Sequence, residues 1–393
     1  MNQNIIDIYM KSFELMDTLF TRYCKREDLF GYIEEHHPYP GFKEKRMKAE
    51  TMAKSNSLEE IYESFKELTE VCPLEVIDAL KEYEFQLELE NSIPILCNIR
   101  LIEPEDIFLT DDSFTKEQWM LFCRKHGIPE QKIYTETEAD IPETVHLGTR
   151  LIRDNRILSN TYAFSFTEEL LYELPLVKKC RAFRLRNPHP EQSDDYKRYE
   201  EKAVYILPIL LLFCLDIRKI CVEEKRTRVL FCNQGIYEMY LALFPETECI
   251  LFSSSHIIQQ RPTTSYREYV QSLYHDHALI VDLQKFFQMD GYLYRDLFGN
   301  IPRVHVLVHE GEGMPSLSSS IVHSYFSDDV VDALSNDSRG ILFSRIEGLE
   351  LRLHESKPKP DMDTIRSFAA EFIGIDIELE SGILLKLIES YLK

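Results

Sequence analysis

The chain has 393 residues and a formal net charge of −22, long enough for two or three domains. Its 44% apolar and 28% charged residues are those of a globular protein, and the acidic balance excludes nucleic acid and anionic membrane surfaces as expected partners. Nine cysteines form no Cys-x-x-Cys pair and several lie in apolar runs, as in Leu212-Phe213-Cys214. Buried thiols in a reducing, cytoplasmic setting are therefore expected, without a disulfide or zinc framework. No basic segment followed by a long apolar core opens the chain, so no signal peptide is expected. The longest apolar stretch, Ala203 to Leu215, contains Pro208 and is too short to span a bilayer, which predicts a buried helix.

Residues 1–22 read as a lead-in, a strand and the first turn of a helix. Residues 23–92 read as almost entirely helical. Arg46 and Glu50 are i,i+4 neighbours, Ser57-Leu58-Glu59-Glu60 is a helix start with acids in its first turn, and Val76 to Leu89 has apolar residues at helical spacing. Ile107-Phe108-Leu109-Thr110 reads as a short buried strand, Thr115 to His126 as a helix closed by Gly127, and Val145-His146-Leu147-Gly148 as a strand and turn. Strands alternating with helices argue for a parallel sheet with helices on its faces. An insert after the first strand would lie over the strand ends, where open α/β sheets bind ligands.

Arg181 to Asp195 reads as a loop or domain connection, followed by a helix over roughly 198–225. Four apolar strands come next: Arg228 to Cys232, Cys249 to Phe252, Ala278 to Asp282 and Val304 to Val308. They predict a second Rossmann-like α/β unit. The last 30 or so residues read as helical, with Ile365, Phe368 and Phe372, then Leu384, Leu385, Leu387 and Ile388, on apolar faces.

The densest motif is Ser12-Phe13-Glu14-Leu15-Met16-Asp17-Thr18-Leu19. A carboxylate ends a strand and a hydroxyl follows four residues later, an arrangement suited to a turn that meets a phosphate. Four further stretches follow in order: Phe42 through Arg46 to Ala49-Glu50; Glu84-Phe85-Gln86-Leu87-Glu88-Leu89-Glu90; Phe108-Leu109-Thr110-Asp111-Asp112-Ser113-Phe114; and Val145-His146-Leu147-Gly148-Thr149 through Asp154. Together they resemble the haloacid dehalogenase-like superfamily, in a bacterial two-domain branch whose first motif reads Ser-Phe-Asp-x-Phe-Asp-Thr-Leu. The resemblance implies a Rossmann-like domain over residues 1–165 with a helical cap at about 23–92, and a second α/β domain over 166–393. It places Glu14 where the family has its nucleophilic Asp, on a stem one methylene longer. Met16 stands where phosphatases of the superfamily keep an acid/base Asp, a function Asp17 would supply if the turn aims it inward. Thr110 matches the catalytic hydroxyl of the second motif, with Thr18 and Asp111 as ligand-binding positions. Thr110, Asp111, Asp112 and Ser113 serve equally well as caps for the following helix. The family's third-motif Lys has no counterpart, because Lys132 comes too early. In the fourth motif Asp154 keeps one carboxylate and Thr149 replaces the other, leaving Glu14 and Asp154 for Mg²⁺, which accepts one or two carboxylates plus phosphate and water.

The implied function is binding of a small phosphorylated ligand, with hydrolysis if the altered centre still works. One alternative is a catalytically dead interaction or regulatory protein with a protein partner. Another is a transferase in the C-terminal half, where Leu279-Ile280-Val281-Asp282-Leu283 is similar to a phosphoribosyltransferase strand ending. There the residues after Asp282 hold one Gly and no Thr, too little for a backbone phosphate cradle. Ser253-Ser254-Ser255-His256 lacks a nucleophile elbow, and His275-Asp276-His277 and His36-His37 read as exposed.

Overall fold

The computed structural model describes residues 10–37, 39–69, 72–111, 113–135, 138, 140–142, 144–148, 156–157, 162–171, 174–252, 264–282, 297–300, 302–309, 318–323, 342–347, 350–354 and 362–374. The chain divides into two compact units, Met1–Glu200 and Glu201–Lys393. They meet some way past the junction expected near residue 165, because a buried ion-pair cluster ties the intervening helices to the first unit. Glu168 accepts hydrogen bonds from Arg181 at 3.0 Å and Arg184 at 2.9 Å, and Arg181 also donates to the Arg22 carbonyl at 3.0 Å.

The first unit is built on a parallel sheet of five strands: β1 (Lys11–Glu14), β4 (Ile107–Thr110), β5 (Lys132–Thr135), β6 (Val145–Gly148) and β7 (Arg156–Ile157). Their order is β5-β4-β1-β6-β7. The chain therefore builds outward from β1 through β4 to β5, then returns to the far side of β1. The order reverses between β1 and β6, and crevices at such reversals open at the carboxyl ends of the strands. β1 and β4 are buried along their whole length; β4 reads as an apolar run ending in Thr110, whereas β1, Lys-Ser-Phe-Glu, carries a single apolar residue.

Four helices separate two short strands, β2 (Phe20–Arg22) and β3 (Ser92–Pro94), which pair antiparallel with Arg22 opposite Ser92. The helices are α1 (Arg26–His36), α2 (Phe42–Met52), α3 (Leu58–Glu67) and α4 (Leu74–Glu90). Ser57 caps α3 by accepting from the Glu60 amide at 3.2 Å, the role its sequence predicted. Thr115 and Gln118 close a reciprocal capping box at the start of α6 (Lys116–Lys125), and Gly127 follows it with φ of 64°. One apolar core runs through the sheet and the inserted helices together. Phe20 stacks on Phe122 of α6 at 5.2 Å, and Phe85 of α4 meets Phe114 at 5.7 Å.

The second unit holds another five-stranded parallel sheet, in the order β12-β11-β10-β8-β9. Its strands are β8 (Arg228–Phe231), β9 (Glu248–Leu251), β10 (Ala278–Asp282), β11 (Val304–His309) and β12 (Ser318–His323). A helix over Leu207–Glu223 buries nearly all of the apolar stretch that begins at Ala203. A π-helical turn at Lys202–Ile206 precedes it. An antiparallel pair, β13 (Leu342–Glu347) and β14 (Glu350–His354), was not foreseen. The apolar positions 384–388 lie outside the described residues. Among the described residues no helix is long and apolar enough to cross a membrane, and no cysteine forms a disulfide.

Candidate functional site

The reversal between β1 and β6 brings Glu14 level with Gly148. Ser12 pairs in register with His146, so Ser12, Glu14, His146 and Gly148 share one face of the two strands. Thr144 Oγ1 donates to Ser12 Oγ at 2.8 Å, and Ser12 Oγ lies 3.0 Å from His146 Nδ1. The Ser12 hydroxyl thus links Thr144 to the imidazole. Burial holds the His146 pKa down, so the ring stays neutral. A side chain at position 148 would begin 2.6 Å from His146 Nε2 and 2.9 Å from Glu14 Oε2. The glycine thus lets the Nε2 ring nitrogen and the carboxylate gather over the same point. Glu14 is only 3% exposed.

Beyond β1 the chain makes one tight turn. Leu19 donates its amide to Leu15 at 3.0 Å, and Asp17 donates its own to Phe20 at 2.7 Å. Asp17 has φ of 62°, a left-handed conformation that Asp tolerates better than most residues. Its Oδ1 accepts from Thr21 Oγ1 at 2.7 Å. Thr18 is fully buried, and its Oγ1 has no hydrogen-bond partner among the described residues. Across the sheet, Thr110 Oγ1 donates to the Asp111 carbonyl at 2.8 Å, while the Asp111 carboxylate takes the Ser113 amide at 3.2 Å and the Ser113 hydroxyl.

A cleft of about 300 Å³ opens beside this turn. Its wall includes Met16, Asp17, Asp111, Ser113, Phe114 and Trp119 from the sheet side, with Arg22, Arg26, Glu50 and Asn56 from β2 and the inserted helices. Of the expected site residues, Asp17 and Asp111 line it. Glu14, Thr18 and Thr110 do not. Asp154 lies outside the described residues, as does Thr149.

The two arginines are held from behind. Arg22 Nε donates to Glu88 Oε2 at 2.6 Å, and Arg26 Nε sits 3.6 Å from Glu88 Oε1. Arg26 Nη1 donates to Glu50 at 2.5 Å, Glu50 accepts from Arg46 at 3.1 Å, and Arg46 forks onto Glu84 at 2.8 and 2.6 Å. Tyr62 donates to Glu84 at 2.9 Å. A ladder of alternating charge therefore runs from the cleft into the middle of the helices. Glu88 and Asp17 push the Arg22 pKa up against the effect of burial. Tyr162 is also close to Asp17 and Glu14: burial first, then these two carboxylates, raises its phenol pKa.

Arg22, Arg26 and Trp119 are the site residues that sequence reasoning missed. Isolated arginines in a helical, charged stretch read as solvated surface, and Trp119 reads as the apolar face of α6. The signal that was present is the i,i+4 pair Glu84 and Glu88 on the same face of α4 as Ile77, Leu80 and Phe85, since buried carboxylates need cationic partners.

Among the described residues no group of three or more His, Cys, Asp or Glu comes together to hold a metal ion. In the second unit Asp282 ends β10 at the point where that sheet's order reverses, beside Cys232, whose amide bonds the Val281 carbonyl at 2.8 Å. Residues 283–296, which follow Asp282, lie outside the described residues. No family model matches the chain, and no curated protein matches it.

Proposed function

We propose that the first unit is a haloacid dehalogenase-like domain that binds a small phosphorylated ligand in the cleft between the sheet and the inserted helices. Three features support the reading. The parallel order β5-β4-β1-β6-β7 reverses beside Glu14, a helical insert leaves and returns through the β2–β3 pair just after β1, and a polar cleft opens beside the turn that joins β1 to β2. The cleft carries the proposal. The insert is the helical cap of this reading, and Mg²⁺ held by Glu14 and Asp154 belongs to it as the ion that would offset ligand charge.

Binding is favoured over efficient turnover. Phosphoryl transfer depends on an in-line nucleophile and on charge neutralisation. Glu14 is buried against His146 and Gly148 and is not among the residues lining the cleft. The test is a panel of phosphomonoesters in calorimetry, with phosphate release assayed in parallel with and without Mg²⁺. Saturable binding by at least one ester, with slow or no release, is the expected outcome. Absence of binding across the panel removes the reading. Fast Mg²⁺-dependent release, lost in Glu14→Gln, replaces it with a working phosphatase.

A further inference from the structure

We propose that the anionic group of the ligand is bound by the guanidinium ends of Arg22 and Arg26, with Glu88 as the buried post that aims them; this rests on the phosphorylated-ligand reading above. The argument is an inventory of donors and acceptors around the cleft. Its carboxylates are already served: Asp17 by Thr21, Asp111 by Ser113, and Glu50 by Arg26 and Arg46. Its donors are not. Arg22 commits only Nε, to Glu88, and its two Nη groups make no hydrogen bond to a described residue. Arg26 commits Nη1 to Glu50 and leaves Nη2. The Trp119 indole N–H is buried, 1% exposed, and has no partner among the described residues. An acceptor-rich ligand is what such a wall lacks, and a phosphate dianion matches the Arg22 fork and the Arg26 Nη2 better than any neutral group.

Glu88 explains why the arginines stay in place without ligand. It is 1% exposed and touches both Nε atoms, so each side chain is anchored at its elbow with its fork directed elsewhere. The ladder through Glu50, Arg46 and Glu84 then ties Arg26 to α2 and to α4, the helix that carries Glu88. Such pre-organisation reduces the ordering cost of binding. Because the contacts are arginine forks, phosphate binding here needs no metal.

Inorganic phosphate is the probe, titrated calorimetrically into the full chain with Mg²⁺ and again with a chelator. The unaltered chain should bind under both conditions. Arg22→Lys keeps a cation for Glu88 yet has no second nitrogen for the cleft, so it should fold normally and bind phosphate roughly tenfold or more weakly. Arg26→Gln should lose a similar factor, and the remote surface variant Lys81→Gln should lose none. Thermal melts check folding of each variant. Unchanged affinity in both arginine variants, or binding that vanishes with the chelator, overturns the arginine site while leaving the phosphomonoester reading intact. So does an unaltered chain that binds an ester of the panel but no inorganic phosphate. Failure of the whole ester panel overturns both.

Discussion

Gly148 is where a single hydrogen atom decides the geometry of the β1–β6 crevice. A methyl group there would have to displace His146 Nε2 or Glu14 Oε2, both within 3 Å of its position, and neither end is floppy surface. Gly148→Ala is expected to cost about 1–3 kcal/mol, read as a lowered urea midpoint with unchanged slope. His126 gives a different residue-scale prediction. Burial first, then Lys125 and Arg186, pushes its pKa down to about 4 from 6.5. The unfolded chain therefore takes up this proton before the folded one does. The associated stability is complete above pH 6.5 and is lost as pH falls toward 4. His126→Gln, which can keep a partner for the Ser92 hydroxyl now 2.7 Å from Nε2, should flatten the stability slope across that window in urea titrations. An unchanged slope would show that His126 is protonated alike in both states.

At the scale of elements, the inserted helices are fixed by the Arg46–Glu84 pair. Arg46 and Glu84 are 0% and 1% exposed, and Tyr62 completes the carboxylate's contacts. Glu84→Gln removes the buried charge that Arg46 forks onto, leaving it Glu50 alone, and should cost about 3–5 kcal/mol, whereas Arg46→Met with Glu84→Met should recover most of the loss. Equal losses in the single and double variants, by denaturant unfolding, would contradict this. The same elements show what a sequence can and cannot display. β4, β8 and β10 were legible because strands buried on both faces read as apolar runs, whereas β1 and β6 were legible through the motifs they carry. Ser57 and Gly127 marked helix ends by their cap chemistry. β2 and β3 are three residues each, too short for any period, so the stem of the helical insert was invisible. The site divides the same way. Glu14, Asp17 and Asp111 announce themselves as acids at strand ends, but Arg22 acquires its direction from Glu88, 66 positions away, and no local pattern encodes that pairing.

For the whole molecule, the compact unit ending at Glu200 predicts where the chain can be cut. A fragment of residues 1–200 should unfold cooperatively, whereas 1–165 should not fold, because it lacks Arg181 and with it the buried bonds to Glu168 and to the Arg22 carbonyl. Circular dichroism melts of the two fragments separate these outcomes, and a folded 1–165 fragment would show the cluster to be dispensable. The chain also carries its own reporter for the central claim. Its one tryptophan, Trp119, lines the cleft. Titrating the full chain with phosphomonoesters while following tryptophan emission reads that cleft alone. The account predicts a saturable change with at least one ester, weakened in Arg22→Lys. Emission that stays constant through every titration, while the protein remains folded, would contradict it.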